Sequence, residues 1–428
     1  MKSIAISIPL GYYARNLLRT GIPEKLLSAD PGLQILLTTP AHEDPLFLKE
    51  FSNHGRIHTH PLYEVRTTHN TWERMLWKSC ILSMSHRPIF LPLMRFNHLF
   101  YRLFSSKRYG SLFERWKPSL LLTASPGFHS QKDIPMIREA QDHGVKTLCA
   151  VFSWDNLTTN GIFPTRPEYL AVWNPLMKEE AVQIHHYDPK KVFVVGPTAF
   201  DIYQNRQIYL SRDEFCRRTG LDPAKKIVTI TTAPPSVLDH RYLVRIMLEA
   251  VRRGAFKEPV QLFCRIHPLD RQDLYKEFEG DSLVRFDHPG HYSKFIKWNP
   301  DRDEMVHLAN TLKQSDVVIN VASTITIESA IVDTPVINVG FSTVQQKHFE
   351  EIIRRAHYER HFRHILDCGG ASNVRNEEEL AASVNAYLKD PSRDREARRK
   401  MAETLCGRLD GQASARLASL ILNLSGGS

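Results

Sequence analysis

The sequence predicts an α/β fold made of two domains in tandem, each a parallel sheet with crossover helices. Three observations carry this reading. The chain has 428 residues, too many for one ordinary core and suited to two domains of about 200 residues each. Short apolar runs alternate with stretches of helical spacing along most of its length, the rhythm of strand, crossover helix and parallel strand. That rhythm breaks once, after Gly196, in PTAFDIYQNRQIYLSRDEF, which reads as the passage between domains. The expected division is 1–200, 201–395, and a C-terminal helix over 396–428 that packs back over the interdomain region.

In the first half the strand candidates are SIAISI (3–8), LQILLTT (33–39), SLLLTAS (119–125), KTLCAVF (146–152), YLAVW (169–173) and KVFVVG (191–196). Helical stretches lie between them. One is DIPMIREAQDHG, with Asp133 as cap candidate and Gly144 as stop signal. A second series starts at KKIVTITT (225–232) and runs through a helix, HRYLVRIMLEAVRRG, to VQLFCRIHP, SLVRF, SDVVINV and TPVINVGF. No internal repeat is visible.

With 42% hydrophobic and 24% charged residues and a mean hydropathy of -0.33, the chain has a globular composition. No apolar run is long enough for a spanning helix, and the N-terminal run is too short for a signal segment. The six cysteines are scattered without a CxxC pair, so neither a zinc site nor a disulfide framework is expected, and a reducing cytoplasm is.

The net charge of +9 is unevenly placed. Between Arg66 and Lys117 ten Lys/Arg face two acids, Glu73 and Glu114, interleaved with aromatics from Trp72 to Trp116. This mixture suits an anionic membrane surface, where each basic residue gains about 1 kcal/mol. An ordinary helical face with solvated arginines would read the same way. No known nucleic-acid motif accompanies the run, so nucleic acid is not expected as a partner.

Candidate chemistry gathers at strand ends, where ligands of parallel sheets bind. NVASTITIESAIVDTPVINVGF (320–341) hands one strand to a helix through Ser323 and Thr324, with Glu328 about one turn on. The hydroxyls can grip a phosphate and the carboxylate a ribose; equally, all three are ordinary helix-start residues. His267, in RIHP, is fixed by Pro268 at the end of the same sheet's VQLFCRI run and can donate to a phosphate oxygen, though a His-Pro pair is commonly just a turn. In the first domain an acceptor-side base would come from His129 or Asp133 in TASPGFHSQKD, or from Asp155 in SWDN. Their plainer readings are a loop histidine, a helix cap and an Asx turn. Trp154 and Trp173 can stack on rings, with core packing the plainer role for Trp173. The other histidines of the second domain do not form ligand spacings such as HExxH, and no metal is expected.

The strand-end His267-Pro268, the Ser323-Thr324 turn and ESAIVDTPVINV resemble the nucleotide-binding domain of GT-B glycosyltransferases and of CDP-glycerol glycerophosphotransferase-type relatives. DGQASAR (410–416) resembles a C-terminal motif of nonhydrolysing UDP-N-acetylglucosamine 2-epimerases, and SWDNLTTNG, VWNPLMKEEA and VVGPTAFD resemble bacterial surface-carbohydrate transferases. No GxGxxG loop is found. The resemblance implies a GT-B-like fold with two sheets facing a central cleft. It implies donor phosphates at His267, Ser323, Thr324 and the Thr231-Thr232 loop, and ribose at Glu328. The implied activity is glycosyl transfer from a nucleotide-activated sugar, the substrate rather than a cofactor, to a glycan or lipid-linked acceptor in bacterial surface-polysaccharide synthesis. The setting would be cytoplasmic, at the inner membrane surface through 66–117. Rivals are a sugar-nucleotide 2-epimerase, a CDP-glycerol-type glycerophosphotransferase and a noncatalytic binding protein.

Overall fold

The computed structural model describes residues 2–63, 108–124, 132–159, 163, 165–233, 239–290, 292–321, 323–343 and 360–426. They form two compact units. The first comprises Met1–Asp201, Tyr292–Asn299 and Cys406–Ser428, the second Ile202–His291 and Pro300–Leu405.

The first unit is a seven-stranded parallel sheet in the order β3-β2-β1-β4-β5-β6-β7. Its strands are β1 (Lys2–Ser7), β2 (Leu33–Thr39), β3 (Ile57–Pro61), β4 (Leu120–Thr123), β5 (Lys146–Ala150), β6 (Tyr169–Val172) and β7 (Val192–Val194). β1 is buried on both faces, as a central strand of a doubly wound sheet must be. Ile4, Ile6 and Ile8 enter one apolar cluster with Leu417 and Ile421 of the C-terminal helix Ala413–Leu424. Ala5, between them, enters the opposite cluster with Met136 and Ile137. The two-residue period of a strand feeds both layers at once.

The second unit is a six-stranded parallel sheet, β10-β9-β8-β13-β14-β15. Here β8 is Lys226–Thr231, β9 Val260–Arg265 and β10 Val284–Asp287; a short hairpin, β11 (Tyr292–Ser293) and β12 (Lys297–Trp298), precedes β13 (Val317–Asn320), β14 (Val336–Val339) and β15 (Ser372–Val374). Val228 and Ile230 pack against the helix Arg241–Arg252, while Ile227 meets Phe215 and Phe263 on the other face.

The hairpin belongs to the first unit although its sequence lies inside the span expected for the second domain. Gly11 explains its seat. The Gly11 N–H donates to the Ile296 carbonyl at 2.7 Å, and a Cβ there would stand 2.1 Å from the Trp298 carbonyl oxygen. The C-terminal segment also divides, Arg395–Cys406 lying in the second unit except at its last residue and Ala413–Leu424 in the first.

Three expectations need comment. The helix Asp133–Asp142 begins where the sequence says, but Asp133 does not cap it. Its carboxylate is fully buried and accepts the Ser7 hydroxyl, so core satisfaction outcompetes capping. β3 and β15 are additional edge strands, short and polar, with no apolar alternation to announce them. Most of the basic window 66–117, and His129, lie outside the described residues.

Candidate active site on the second unit

Along the second sheet the chain winds outward from β8 through β9 to β10, then returns to the other side of β8 as β13. Such a reversal opens a crevice beyond the carboxyl ends of the two strands. Thr231 ends β8 and Thr232 follows it, His267 follows β9, and Ser323 and Thr324 follow β13. The three strands are neighbours, so the groups marked in the sequence share one edge of one sheet.

His267 is held by its backbone and by its ring. Its N–H donates to Thr232 Oγ1 at 2.8 Å, its carbonyl accepts the Asp270 N–H at 2.8 Å, and its Nδ1 accepts the Leu269 N–H at 3.0 Å. A ring nitrogen that accepts from an amide carries no proton, so the neutral imidazole bears its proton on Nε2. Burial pushes the His267 pKa down to about 4; the nearby Asp270 works against this, and His240 and Arg265 reinforce it. At neutral pH the ring is therefore an uncharged donor. Nε2 makes no hydrogen bond among the described residues.

Ser323 and Thr324 precede the helix Ile325–Ile331. The Ser323 N–H donates to Asn320 Oδ1 at 3.1 Å, and its hydroxyl oxygen accepts the Ile325 N–H at 3.3 Å, which leaves the hydroxyl proton directed by neither bond. Thr324 occupies the cap position without a side-chain capping bond. Glu328 is buried and accepts the Tyr203 hydroxyl, while the Tyr203 carbonyl accepts the Tyr209 hydroxyl at 2.8 Å. The Thr231 hydroxyl is buried and makes no hydrogen bond among the described residues.

Beneath this turn lies a polar ladder that the sequence reading missed. Asn320, Asn338 and Asn373 stand in register on β13, β14 and β15. Thr326 Oγ1 bonds Asn338 Oδ1 at 2.7 Å and accepts from Asn320 Nδ2 at 3.2 Å, and Asn338 Nδ2 reaches Asn373 Oδ1 at 3.1 Å. The repeated "IN" of VVIN and VINV was the available signal: an asparagine at or next to the end of each of two buried strands. Also missed was Arg265, two residues before the marked His-Pro. It is buried and paired with both Asp287 and Glu304, and Asp287 also meets His307 Nε2 at 3.0 Å. Despite burial, which acts the other way, His307 and Arg265 hold the Asp287 carboxyl below its ordinary value.

In the first unit, Asp133 and Asp155 follow the neighbouring strands β4 and β5. Asp133 is fully buried. Asp155 is half-buried; its Oδ1 accepts the Ser153 hydroxyl at 2.5 Å and its carbonyl accepts the Thr158 N–H at 3.0 Å, at the start of the short helix Asn156–Thr159. Trp173 is buried and donates to the Val151 carbonyl at 2.8 Å. In DGQASAR, Arg416 pairs with Asp410 at 2.8 Å and donates to the Val195 carbonyl, and Asp201 accepts the Ala413 and Ser414 N–H groups. Both charged ends of the motif thus brace the C-terminal helix. Among the described residues no group of three or more His, Cys, Asp or Glu is placed to hold a metal ion, and no helix is long and apolar enough to cross a membrane.

No curated protein matches the sequence. Among solved structures, UDP-GlcNAc 2-epimerase from Neisseria meningitidis bound to UDP-GlcNAc is similar with a TM-score of 0.61 and 12% identity, over 99% of this chain and 100% of that one. The corresponding enzyme from Methanocaldococcus jannaschii gives 0.57 and 13%, over 99% and 100%. The wall teichoic acid polymerase TagF, in its H444N form with CDPG, gives 0.54 and 12%, over 99% of this chain and 88% of that one. Identities this low show the fold, which is GT-B-like. The family model described as CDP-Glycerol:Poly(glycerophosphate) glycerophosphotransferase matches residues 158–423, well over half of the sequence and a span that contains the whole second unit, and the chain belongs to that transferase family.

Proposed function

We propose that this chain transfers an activated group from a nucleotide-diphosphate donor to a hydroxyl of a surface-polymer or lipid-linked acceptor, with the donor phosphates held at the β9-β8-β13 edge. The observation that carries this is the His267 ring, a neutral donor with its proton directed to Nε2, beside the hydroxyl-bearing ends of β8 and β13. A neutral donor stabilises charge gathering on a departing phosphate without titrating near neutral pH. Ser323 and Thr324 would contact the phosphates and Glu328, positioned by Tyr203, the ribose.

Family membership favours the phosphoryl version. The acceptor oxygen would attack the distal phosphorus of a CDP-linked polyol, the bond from that phosphorus to CMP would break, and the acceptor proton would pass to a base. Asp155 and His129 remain the base candidates of the first unit; Asp133, sealed in the core, is the weakest of the three. Glycosyl transfer from a nucleotide sugar is the second reading, favoured by a fold neighbour bound to UDP-GlcNAc. Epimerisation loses weight because the DGQASAR charges are engaged in bracing. We further propose a metal-independent reaction, and cytoplasmic residence at the inner membrane surface through 66–117.

The leaving nucleotide separates these readings. Purified protein is incubated with CDP-glycerol or UDP-GlcNAc, with and without a lipid-linked acceptor, in EDTA. Acceptor-dependent CMP release supports transfer on phosphorus; acceptor-dependent UDP release supports glycosyl transfer. Isomerised sugar nucleotide without an acceptor would install the epimerase reading, and silence with both donors would sink all three.

A further inference from the structure

We propose that Asp270 is the positioning residue of His267, acting with Thr232 and Tyr275 to hold the one tautomer that presents Nε2–H to a donor phosphate. This rests on the phosphate-site reading above. The bonds form a closed circuit. Asp270 Oδ2 accepts the Thr232 hydroxyl at 2.7 Å and the Tyr275 hydroxyl at 2.7 Å. Thr232 Oγ1, its proton committed to Asp270, accepts the His267 N–H, and the Asp270 N–H returns to the His267 carbonyl. Within that closed turn the Leu269 N–H reaches His267 Nδ1 and thereby sets the tautomer.

Apolar packing at the tip does not hold this turn. Leu269 is 50% exposed, so polar bonds must fix the 267–270 backbone. The anchor is Tyr275, whose buried ring packs against Phe286 at 5.8 Å and gives its hydroxyl a fixed position. Rigidity therefore runs from the core through Tyr275 and Asp270 to the turn, and from the turn to the imidazole. The charged and titratable groups that bear on the ring are Asp270, His240 and Arg265. Asp270 is bonded within the turn itself.

The test uses the full chain with 15N-labelled histidine and long-range 1H–15N spectra at pH 7. The His267 signals are assigned by their loss in His267→Gln, and CDP and UDP affinities are measured by calorimetry. Wild type should show the Nε2–H tautomer alone. Asp270→Ala should mix tautomers and weaken nucleotide binding about tenfold, the scale of one lost charge-assisted bond. Asp270→Asn, which keeps an acceptor oxygen for both hydroxyls, should restore the tautomer. Tyr275→Phe, which removes only the anchoring hydroxyl, should mix tautomers in part and supplies the same readout should Asp270→Ala not fold. In the double variant with His267→Gln, Asp270→Ala should add no further loss of affinity. An unchanged tautomer in Asp270→Ala and Tyr275→Phe, or additive losses in the double variant, overturns the proposal. Should wild type bind neither nucleotide while the tautomer responds as stated, the positioning role stands and the phosphate-site reading falls.

Discussion

Replacing Thr326 by valine tests the ladder beneath the Ser323 turn. The side chains are nearly the same shape, so the change removes a hydroxyl and leaves no cavity. Thr326, Asn320 and Asn338 are all fully buried. Without the hydroxyl, Asn338 Oδ1 loses its 2.7 Å donor and Asn320 Nδ2 its 3.2 Å acceptor. Each buried polar group so stranded costs about 1–3 kcal/mol, giving a destabilisation of about 2–6 kcal/mol for the second unit. For a unit of this size the melting temperature should fall by roughly 5 °C or more. Nucleotide affinity should weaken as well, because Asn320 also fixes the Ser323 N–H. Thr334→Val is the control: it removes one buried bond, to the Leu312 carbonyl, before β13 and β14 begin and so at the edge of the sheet opposite the turn, and should cost about 1 kcal/mol without changing affinity. Urea denaturation followed by circular dichroism reads both. A Thr326→Val protein within about 0.5 kcal/mol of wild type would refute the claim that the ladder depends on this hydroxyl.

Gly11→Ala should dislodge the hairpin from its seat, since the new Cβ would stand 2.1 Å from the Trp298 carbonyl oxygen and 2.6 Å from Asn299 Cα; faster proteolysis within 292–299 is the expected sign. Arg265→Leu should cost about 3–5 kcal/mol at pH 7 by taking the guanidinium from Glu304 and Asp287 and leaving Asp287 with His307 alone, measured by urea denaturation. Acid should destabilise the chain in a defined window. His185 and His267 both have pKa values pushed down to about 4 by burial, so the unfolded chain takes up protons from its ordinary value near 6.5 while the folded chain does not. Their contribution is present above about pH 6.5 and lost as pH falls from there through 4, by about 1–3 kcal/mol for buried His185 and less for the more solvent-screened His267. Urea curves at pH 7 and 4.5 should show the loss, and His267→Gln should remove the His267 share.

Legibility in the sequence followed burial. Buried parallel strands are continuous apolar runs, and LQILLTT forms β2 over the residues expected. Edge strands carry no such signature: IHTHP holds two histidines and a proline, and SNV is three residues long. The hairpin was invisible because its place depends on a contact with Gly11, nearly 300 residues away. At the site, His267, Thr232, Ser323 and Glu328 could be marked because strand ends are readable. Their supports could not, since Asp270, Tyr275, Tyr203 and the asparagines look like ordinary polar residues until the fold brings them together. Asp133 shows the converse: a helix-start aspartate reads as a cap, and only the structure reveals Ser7 beneath it.

The most direct test of the account is a thermal-shift series with UDP, CDP, CMP, GDP and ADP on wild type and His267→Ala, because a ligand that binds only the folded state must raise its apparent stability. The account predicts stabilisation by one pyrimidine nucleotide diphosphate, CDP foremost, and its loss in His267→Ala. Equal stabilisation of both proteins would place the nucleotide elsewhere and contradict the site.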